Sequence, residues 1–436
     1  MALLLGIRRE DKNEWERRVP IVPNHVRELK KIHKIDTQIQ PSKIRIFGED
    51  EYKIAGAEIK EDLVDCQVVF AVKEPPLDFF KEDKTYIFFS HTIKGQKHNM
   101  PMLKKLMELK CNLIDYEKIA GGDGKRLVFF GRYAGFAGMI DTLWALGKRL
   151  ESEGITTPLL KLKKGTEYKS IHHATEEIKK VAAEIKIYGF DNRLVPLTCA
   201  FLGYGHVSQG AQELFDLFPH EVISPEELLT LKERPNLSRN IIYKVVFKEE
   251  DLVQTIDEYA KFNLADYYKN PEKYAPKFEQ YIEHLSMIVN GIYWDSRYPK
   301  FITKNYLKKL FRTGANPELR VISDITCDVE GSVECNLQTT DSGNPIYVYN
   351  PQTGKIKFGY EGSGVVVLAV DNLPCELPYD SSTGFSTALL PFIPEIIKAD
   401  YTKDFKGLKL PPEIKNALIL CHGEFTPDYK YLEKFL

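Results

Sequence analysis

Apolar positions along the chain fall in short β-rich runs separated by helical patterns. Residues 2–7 (ALLLGI), 44–47 (IRIF), 67–73 (QVVFAVK), 86–90 (YIFFS) and 111–115 (CNLID) each predict a short buried strand. Between them, residues 24–33 and 101–109 carry apolar side chains at helical spacing. That alternation predicts a parallel α/β sheet. A long helix is predicted over 134–152, where Ala134, Gly135, Ala137 and Gly138 form a face of small residues suited to close packing. A second helix is predicted near 174–186, and a strand runs to Leu202. Residues 224–285 are polar, Tyr-rich and broken by Pro, so 249–285 are expected to be helices and loops inserted into the α/β unit. Strand-like runs resume at 286–293, 320–325 and 364–370, and a last helix is expected near 386–398.

Composition narrows the class. With 43% hydrophobic residues, 23 Tyr and 24 Phe, the chain has ample apolar surface to bury and is not disordered. Its 60 basic and 62 acidic residues give a net charge of −2, which argues against a general nucleic-acid binder. No run of 18 apolar residues occurs, so no membrane span is expected. The start, MALLLGIRRE, lacks a charged leader and reads as neither a secretory signal nor a full transit peptide. A soluble protein of the mitochondrial matrix or cytoplasm is expected. The seven Cys (66, 111, 199, 327, 335, 375, 421) form no CxxC pair, which predicts reduced, buried thiols and no zinc cluster. His172-His173 lacks a third ligand nearby, so no metal site is expected.

Candidate chemistry clusters just past the apolar strands. At 197–215 (LTCAFLGYGHVSQGAQELF) a buried strand meets Gly203 and Gly205, then Val207, Ser208 and a helix. This arrangement lets a pyrophosphate sit on backbone N–H groups at a helix start, although Ser208 stands where GxGxxG has its third Gly. The second strand is expected to end near Val222–Ile223, placing Ser224 at the adenosine ribose. With no acid at that tip, NADP(H) is favoured, although Glu226 is close; Arg234 and Arg239 could pair with a phosphate or simply be solvated. Arg18, in Glu16-Arg17-Arg18, is suited to gripping a carboxylate, or belongs to a surface Arg pair. Lys73 ends one apolar strand and His91 the next, so both face the crevice where open α/β sheets bind ligands. Such a pair can move protons near neutral pH. Asp115, Glu117, Arg126, Asp324, Asp328 and Asp371 follow other strands in the same way.

Eight segments carry a resemblance: 6–23 (GIRRED..EWERRVPIVP), 88–101, 113–119 (LIDYEKI), 129–141 (FFGRYAGFAGMID), 203–215, 290–300 (NGIYWDSRYPK), 323–334 (SDITCDVEGSVE) and 361–378. The chain resembles the lysine–2-oxoglutarate reductase family, the saccharopine-forming half of the bifunctional aminoadipic semialdehyde synthases. It is more distantly similar to alanine dehydrogenase and fungal saccharopine dehydrogenase. The resemblance implies two Rossmann-like, doubly wound parallel-sheet domains with an interdomain cleft. The expected division is a discontinuous substrate domain, 1–135 plus 373–436, and a dinucleotide domain, 136–372. It implies condensation of L-lysine with 2-oxoglutarate and reduction of the imine by NADPH to saccharopine, in lysine degradation. Lys73 and His91 match the proposed acid–base pair; Arg18, Glu74, Lys94, Gln96, Glu117 and Arg126 match positions lining the amino-acid pocket. Gly203, Gly205 and Val207 match the dinucleotide turn, Asp328 a position near the nicotinamide, and Asn372 and Leu373 a loop over it. The implied partners are the two substrates, a saccharopine-oxidising domain in cis or in trans, and further copies of the chain. Two alternatives stay open: an alanine-dehydrogenase-like enzyme using ammonia and a 2-oxo acid, and a non-catalytic dinucleotide-binding module.

Overall fold

The computed structural model describes residues 3–312, 315 and 317–436. Ala2, part of the first predicted strand, lies outside them. The chain alternates strands and helices in three stretches. The first carries β1 (Leu3–Ile7), β2 (Ile35–Ile39), β3 (Glu58–Ile59), β4 (Val68–Phe70), β5 (Thr85–Phe88) and β6 (Asn112–Asp115). The second carries β7 (Thr198–Leu202), β8 (His220–Val222), β9 (Ile242–Phe247), β10 (Val253–Thr255), β11 (Tyr274–Pro276), β12 (Met287–Asn290), β13 (Val321–Asp324), β14 (Ile346–Asn350), β15 (Lys355–Phe358) and β16 (Val365–Leu368). The third returns with β17 (Leu418–Cys421) and β18 (Glu424–Phe425).

These stretches make two compact units: residues up to Phe130 with Pro378–Leu436, and Gly131–Leu377. The boundaries differ from the expected 135/136 and 372/373 for a packing reason. The helix Gly131–Ser152 belongs whole to the second unit, because it packs on the helix His206–Phe215. A Cβ on Gly135 would strike the Val207 carbonyl, and one on Gly210 the Arg132 carbonyl. The turn Leu373–Glu376 follows the same helix into that unit, where Glu376 meets Asp141.

In the first unit the sheet runs β3-β2-β1-β4-β5-β6-β17-β18. β1 to β6 are parallel, and β17 closes antiparallel on β6. β4 and β5 are buried throughout, as expected of strands covered on both faces. The order reverses direction between β1 and β4, so the loops leaving these strands bound the switch point where such sheets bind ligands. Residues 44–47, predicted as a strand, form none; β2 takes the place beside β1. Arg45 instead donates to the Gln40 carbonyl at 2.7 Å, and Phe47 packs on Tyr379. The helix expected at 386–398 is two helices, Pro378–Leu389 and Ile393–Lys398, joined by a tighter turn at Leu390–Phe392. Pro391 and Pro394 lack the N–H groups a continuous helix needs there.

In the second unit the order is β8-β9-β7-β12-β13-β16-β14-β15. β9 pairs directly with β7, and β8 lies outside it at the sheet edge. The segment 249–285 holds short helices, as expected, and also the β10–β11 hairpin.

Candidate functional site

In the first unit, the loop after β1 supplies a row of buried charges. Glu10 accepts two backbone N–H bonds at the end of β4, from Val72 at 2.7 Å and Lys73 at 2.9 Å. Its carboxylate therefore fixes the backbone that presents Lys73. Burial, with the nearby Glu16 charge, pushes the Glu10 carboxyl up to about 7. Arg18 is 2% exposed and held by Glu16 through Nε at 2.8 Å and Nη2 at 2.5 Å. Its guanidinium also lies 4.2 Å from the centre of the Phe130 ring. Arg18 is thus a buried, prealigned cation and not a member of a surface pair.

Lys73 is half-buried. Burial pushes its amine below the usual range, and the Arg18 charge pushes the same way. Glu74 takes the next position. One of its oxygens lies 2.5 Å from His91 Nδ1; the other accepts from Lys12 at 3.1 Å. Burial opposes the Glu74 charge, yet the hydrogen bond and charge of His91, with Lys12, hold its carboxyl at about 2. An ionised carboxylate only accepts, so His91 Nδ1 carries a proton. Asn99 donates both to Glu74 and to the His91 carbonyl.

His91 stands at φ +48°, a conformation side chains other than Gly adopt at a cost. The fold holds it there through its neighbour. Asp115, at the end of β6, accepts from the Ser90 N–H at 3.2 Å, the Ser90 hydroxyl at 2.5 Å and the Glu117 N–H at 2.8 Å. Burial pushes the Asp115 carboxyl up to about 6. Glu117 pairs with Arg126. Lys94 and Gln96 share one turn, where the Lys94 N–H donates to the Gln96 side chain at 3.1 Å. The Tyr116 hydroxyl is buried without a hydrogen-bond partner among the described residues, and its ring packs edge-on against Phe385. The structure thus brings Arg18, Lys73, Glu74 and His91 around one switch point. Glu10, Glu16, Lys12 and Asn99, none of them site candidates from sequence, support that group.

In the second unit, β7 runs into Gly203 at φ +85°, and Gly205 caps the helix His206–Phe215. Among the described residues nothing lies within 4 Å of where a Cβ on Gly205 would sit, so the turn leaves room for a bound group against its backbone. Ser208 is buried and accepts from Gln212 at 2.9 Å; its neighbour Val207 is partly buried on the same helix. These residues fit a dinucleotide pyrophosphate. Asp328 is exposed in the loop after β13. Below it, Asp324 is buried and accepts from Asn290, Thr326 and Asn336 at 2.7–2.9 Å, tying the ends of β12 and β13 together. Asn372 and the buried Leu373 follow β16. Ser224 is not beside the turn. It caps a short helix after β8, accepting from the Glu227 N–H at 3.2 Å, and β9 lies between β8 and β7. Its expected place at the ribose assumed that β8 adjoins β7.

Among the described residues no group of three or more His, Cys, Asp or Glu could hold a metal ion, and no helix is long and apolar enough to cross a membrane. All seven cysteines are free, and Cys327 alone is not fully buried.

Comparison with known proteins adds to this geometry. Residues 6–137 match the alanine dehydrogenase/PNT N-terminal domain model, and residues 245–428 match its C-terminal domain model. The chain is 36% identical to an alpha-aminoadipic semialdehyde synthase of Arabidopsis thaliana, over 99% of this chain and 41% of that protein. It is 34% identical to the mitochondrial protein of that name from Bos taurus, over 99% of this chain and 48% of that one. It thus spans about half the length of these curated relatives. A saccharopine dehydrogenase (NAD(+), L-lysine-forming) of Emericella nidulans is 26% identical over 82% of each chain. Among solved structures, an L-alanine dehydrogenase shares the fold with a TM-score of 0.64 at 18% identity, over 99% of this chain and 100% of that one.

Proposed function

The chain belongs to the alanine dehydrogenase/PNT family, and on that premise we propose that it condenses L-lysine with 2-oxoglutarate and reduces the imine to saccharopine, a step of lysine degradation. The observation that carries the reading is the Arg18, Lys73, Glu74 and His91 group around the switch point of the first sheet. The identity to aminoadipic semialdehyde synthases across this whole chain supports it. Those relatives are about twice as long, so a saccharopine-oxidising partner, in cis or in trans, belongs to the proposal.

The residues meet the demands of the chemistry. Lysine's ε-amine must be neutral to attack the keto carbon, and the carbinolamine must then lose water. Lys73, with its amine pushed below the usual range, can accept the first proton and return one. His91, oriented by Glu74 through Nδ1, can deliver or remove a proton at Nε2. Arg18 supplies a fixed positive charge for a substrate carboxylate, and Lys94, Gln96, Glu117 and Arg126 are proposed to complete the amino-acid pocket. The turn at Gly203, Gly205 and Val207 would hold the dinucleotide, with Asp328, Asn372 and Leu373 proposed near its nicotinamide. When bound, the dinucleotide supplies the hydride that reduces the imine. NADPH was expected on two grounds, the missing acid at Ser224 and the family resemblance, and the strand order removes the first.

The test is loss of absorbance at 340 nm with 2-oxoglutarate, with and without L-lysine, with NADH and NADPH in parallel, and with ammonia replacing lysine. Lysine-dependent loss supports the proposal. Loss with ammonia alone would place the enzyme with simple amino-acid dehydrogenases. No loss under any condition would leave a dinucleotide-binding module.

A further inference from the structure

The strand order of the second sheet points to which dinucleotide the protein takes. In open sheets with a Gly-rich first turn, the adenosine half lies over the strand next to the first, whose tip reads the ribose 2′ position. Here that neighbour is β9. Leu202 is in register with Phe247, and the Gly203 N–H donates to the Phe247 carbonyl at 2.9 Å. The residues just after Phe247 are Lys248-Glu249-Glu250-Asp251. Ser224, at the end of β8, is two strand spacings from β7, about 10 Å.

Glu249 is placed for this task. It is 8% exposed, although charged residues are seldom so buried without partners. The Tyr268 hydroxyl donates to its Oε1 at 2.6 Å. The Glu249 charge also acts on the phenol of Tyr204, the middle residue of the Gly203-Tyr204-Gly205 turn. The carboxylate therefore lies close to the turn. A carboxylate offers about four acceptor sites, so the one phenol bonded to it leaves capacity for ribose hydroxyls.

The surrounding charge points the same way. Glu250 and Asp251 follow on the same segment, and Glu226 acts on Asp251 from the segment after β8. The cations that face this group are Lys248, which is exposed, and Lys277, whose amine donates to the Glu250 carbonyl at 3.3 Å. The arginines that might have met a phosphate are engaged elsewhere: Arg234 with Glu221 and Glu227, and Arg239 with the Tyr188 carbonyl. A 2′-phosphate brings a charge of about −1.5 to −2 into this acidic surround.

Building on the dinucleotide-dependent reading above, we propose that Glu249, at the tip of the strand beside the Gly-rich turn, accepts the adenosine ribose hydroxyls and selects NAD(H) over NADP(H).

The test is calorimetric binding of NADH and NADPH to the full chain, each without substrates. The wild-type protein is expected to bind NADH at least about tenfold more tightly than NADPH. Glu249→Gln and Glu249→Ser are expected to narrow that ratio, by weakening NADH and relieving repulsion of NADPH. Their folding is checked by circular dichroism, and the wild-type ratio does not depend on them. Tighter NADPH binding by the wild type, or an unchanged ratio in folded Glu249 variants, would overturn the inference while lysine-dependent turnover kept the reductase reading. Failure of both dinucleotides to bind would overturn both.

Discussion

Replacing Glu10 with Gln separates two opposing effects that the structure predicts at one carboxyl. Glu10 accepts the Val72 and Lys73 N–H groups with separate oxygens. Gln keeps one acceptor oxygen, and its amide nitrogen turns a donor toward the other N–H. A buried N–H left unpaired costs about 1–3 kcal/mol. The second effect is charge. Burial and Glu16 raise the Glu10 carboxyl from 4.5 to about 7, which corresponds to about 3 kcal/mol. Below pH 4.5 the group is protonated in both folded and unfolded chains and has no linked effect. Between 4.5 and 7 the unfolded chain gives up the proton and the folded one keeps it, so stability falls as pH rises. Above pH 7 the full penalty applies to the wild type and is absent from Glu10→Gln. At pH 4 the variant should therefore be less stable by about 1–3 kcal/mol. At pH 8 the gap should close or reverse. Urea unfolding followed by the fluorescence of Trp15 reads the first unit, with Trp144 and Trp294 replaced by Phe in both proteins. The same gap at both pH values would refute the argument, because Glu10 would then not titrate between them.

Three further outcomes follow from the geometry. Lys73→Met and His91→Gln should each lower turnover about 10²- to 10⁴-fold in the 340 nm assay, with calorimetric dinucleotide affinity unchanged; wild-type turnover in either would remove that residue from the proton transfers. Gly135→Ala puts a methyl group into the Val207 carbonyl, so the second unit should lose about 1–3 kcal/mol of stability and bind dinucleotide more weakly, by melting and calorimetry. Asp141 and Glu376 are buried together; burial pushes Asp141 up to about 6, and burial with the Asp141 charge pushes Glu376 well above its usual range. Stability should thus fall as pH rises through about 6, and Asp141→Asn should flatten that fall between pH 5 and 7.5; equal slopes in melting temperature would count against a proton held by the pair.

The readable part of the site was the part set by local pattern. An apolar run ends where the chain leaves the sheet, so Lys73 and His91 could be placed at strand ends from their position after VVFAV and YIFFS. Their supports were harder to see. Glu10 and Glu16 have the same chemical identity in water or in a buried pair, and only the packing of the first sheet shows that they are covered. A carboxylate two residues before Arg18 was a usable signal, since alternate residues of an extended segment share a side. The apolar run NALILC at 416–421, which forms β17 between β6 and β18, was not among the predicted strands. The ribose position was not legible either. β8 and β9 are both short strand patterns after the Gly-rich turn, and which of them lies against β7 is decided by long-range packing. Residues 44–47 erred in the opposite direction: four alternating positions were enough to suggest a strand, but backbone pairing beside β1 went to Ile35–Ile39.

The division of the first unit into two stretches of chain has a consequence for how the protein is made. During synthesis β6 leaves the ribosome with one edge unpaired, and its partner β17 follows only after all of Gly131–Leu377. The second unit has its whole sheet in one continuous stretch and can fold as soon as it emerges. The first must wait, with an open strand edge and an incomplete apolar core that lacks Phe385, Leu389, Ile393 and Leu418. The nascent chain is thus exposed to mispairing for longest at the sheet that carries Lys73 and His91, and a chaperone acting on it would find its substrate there.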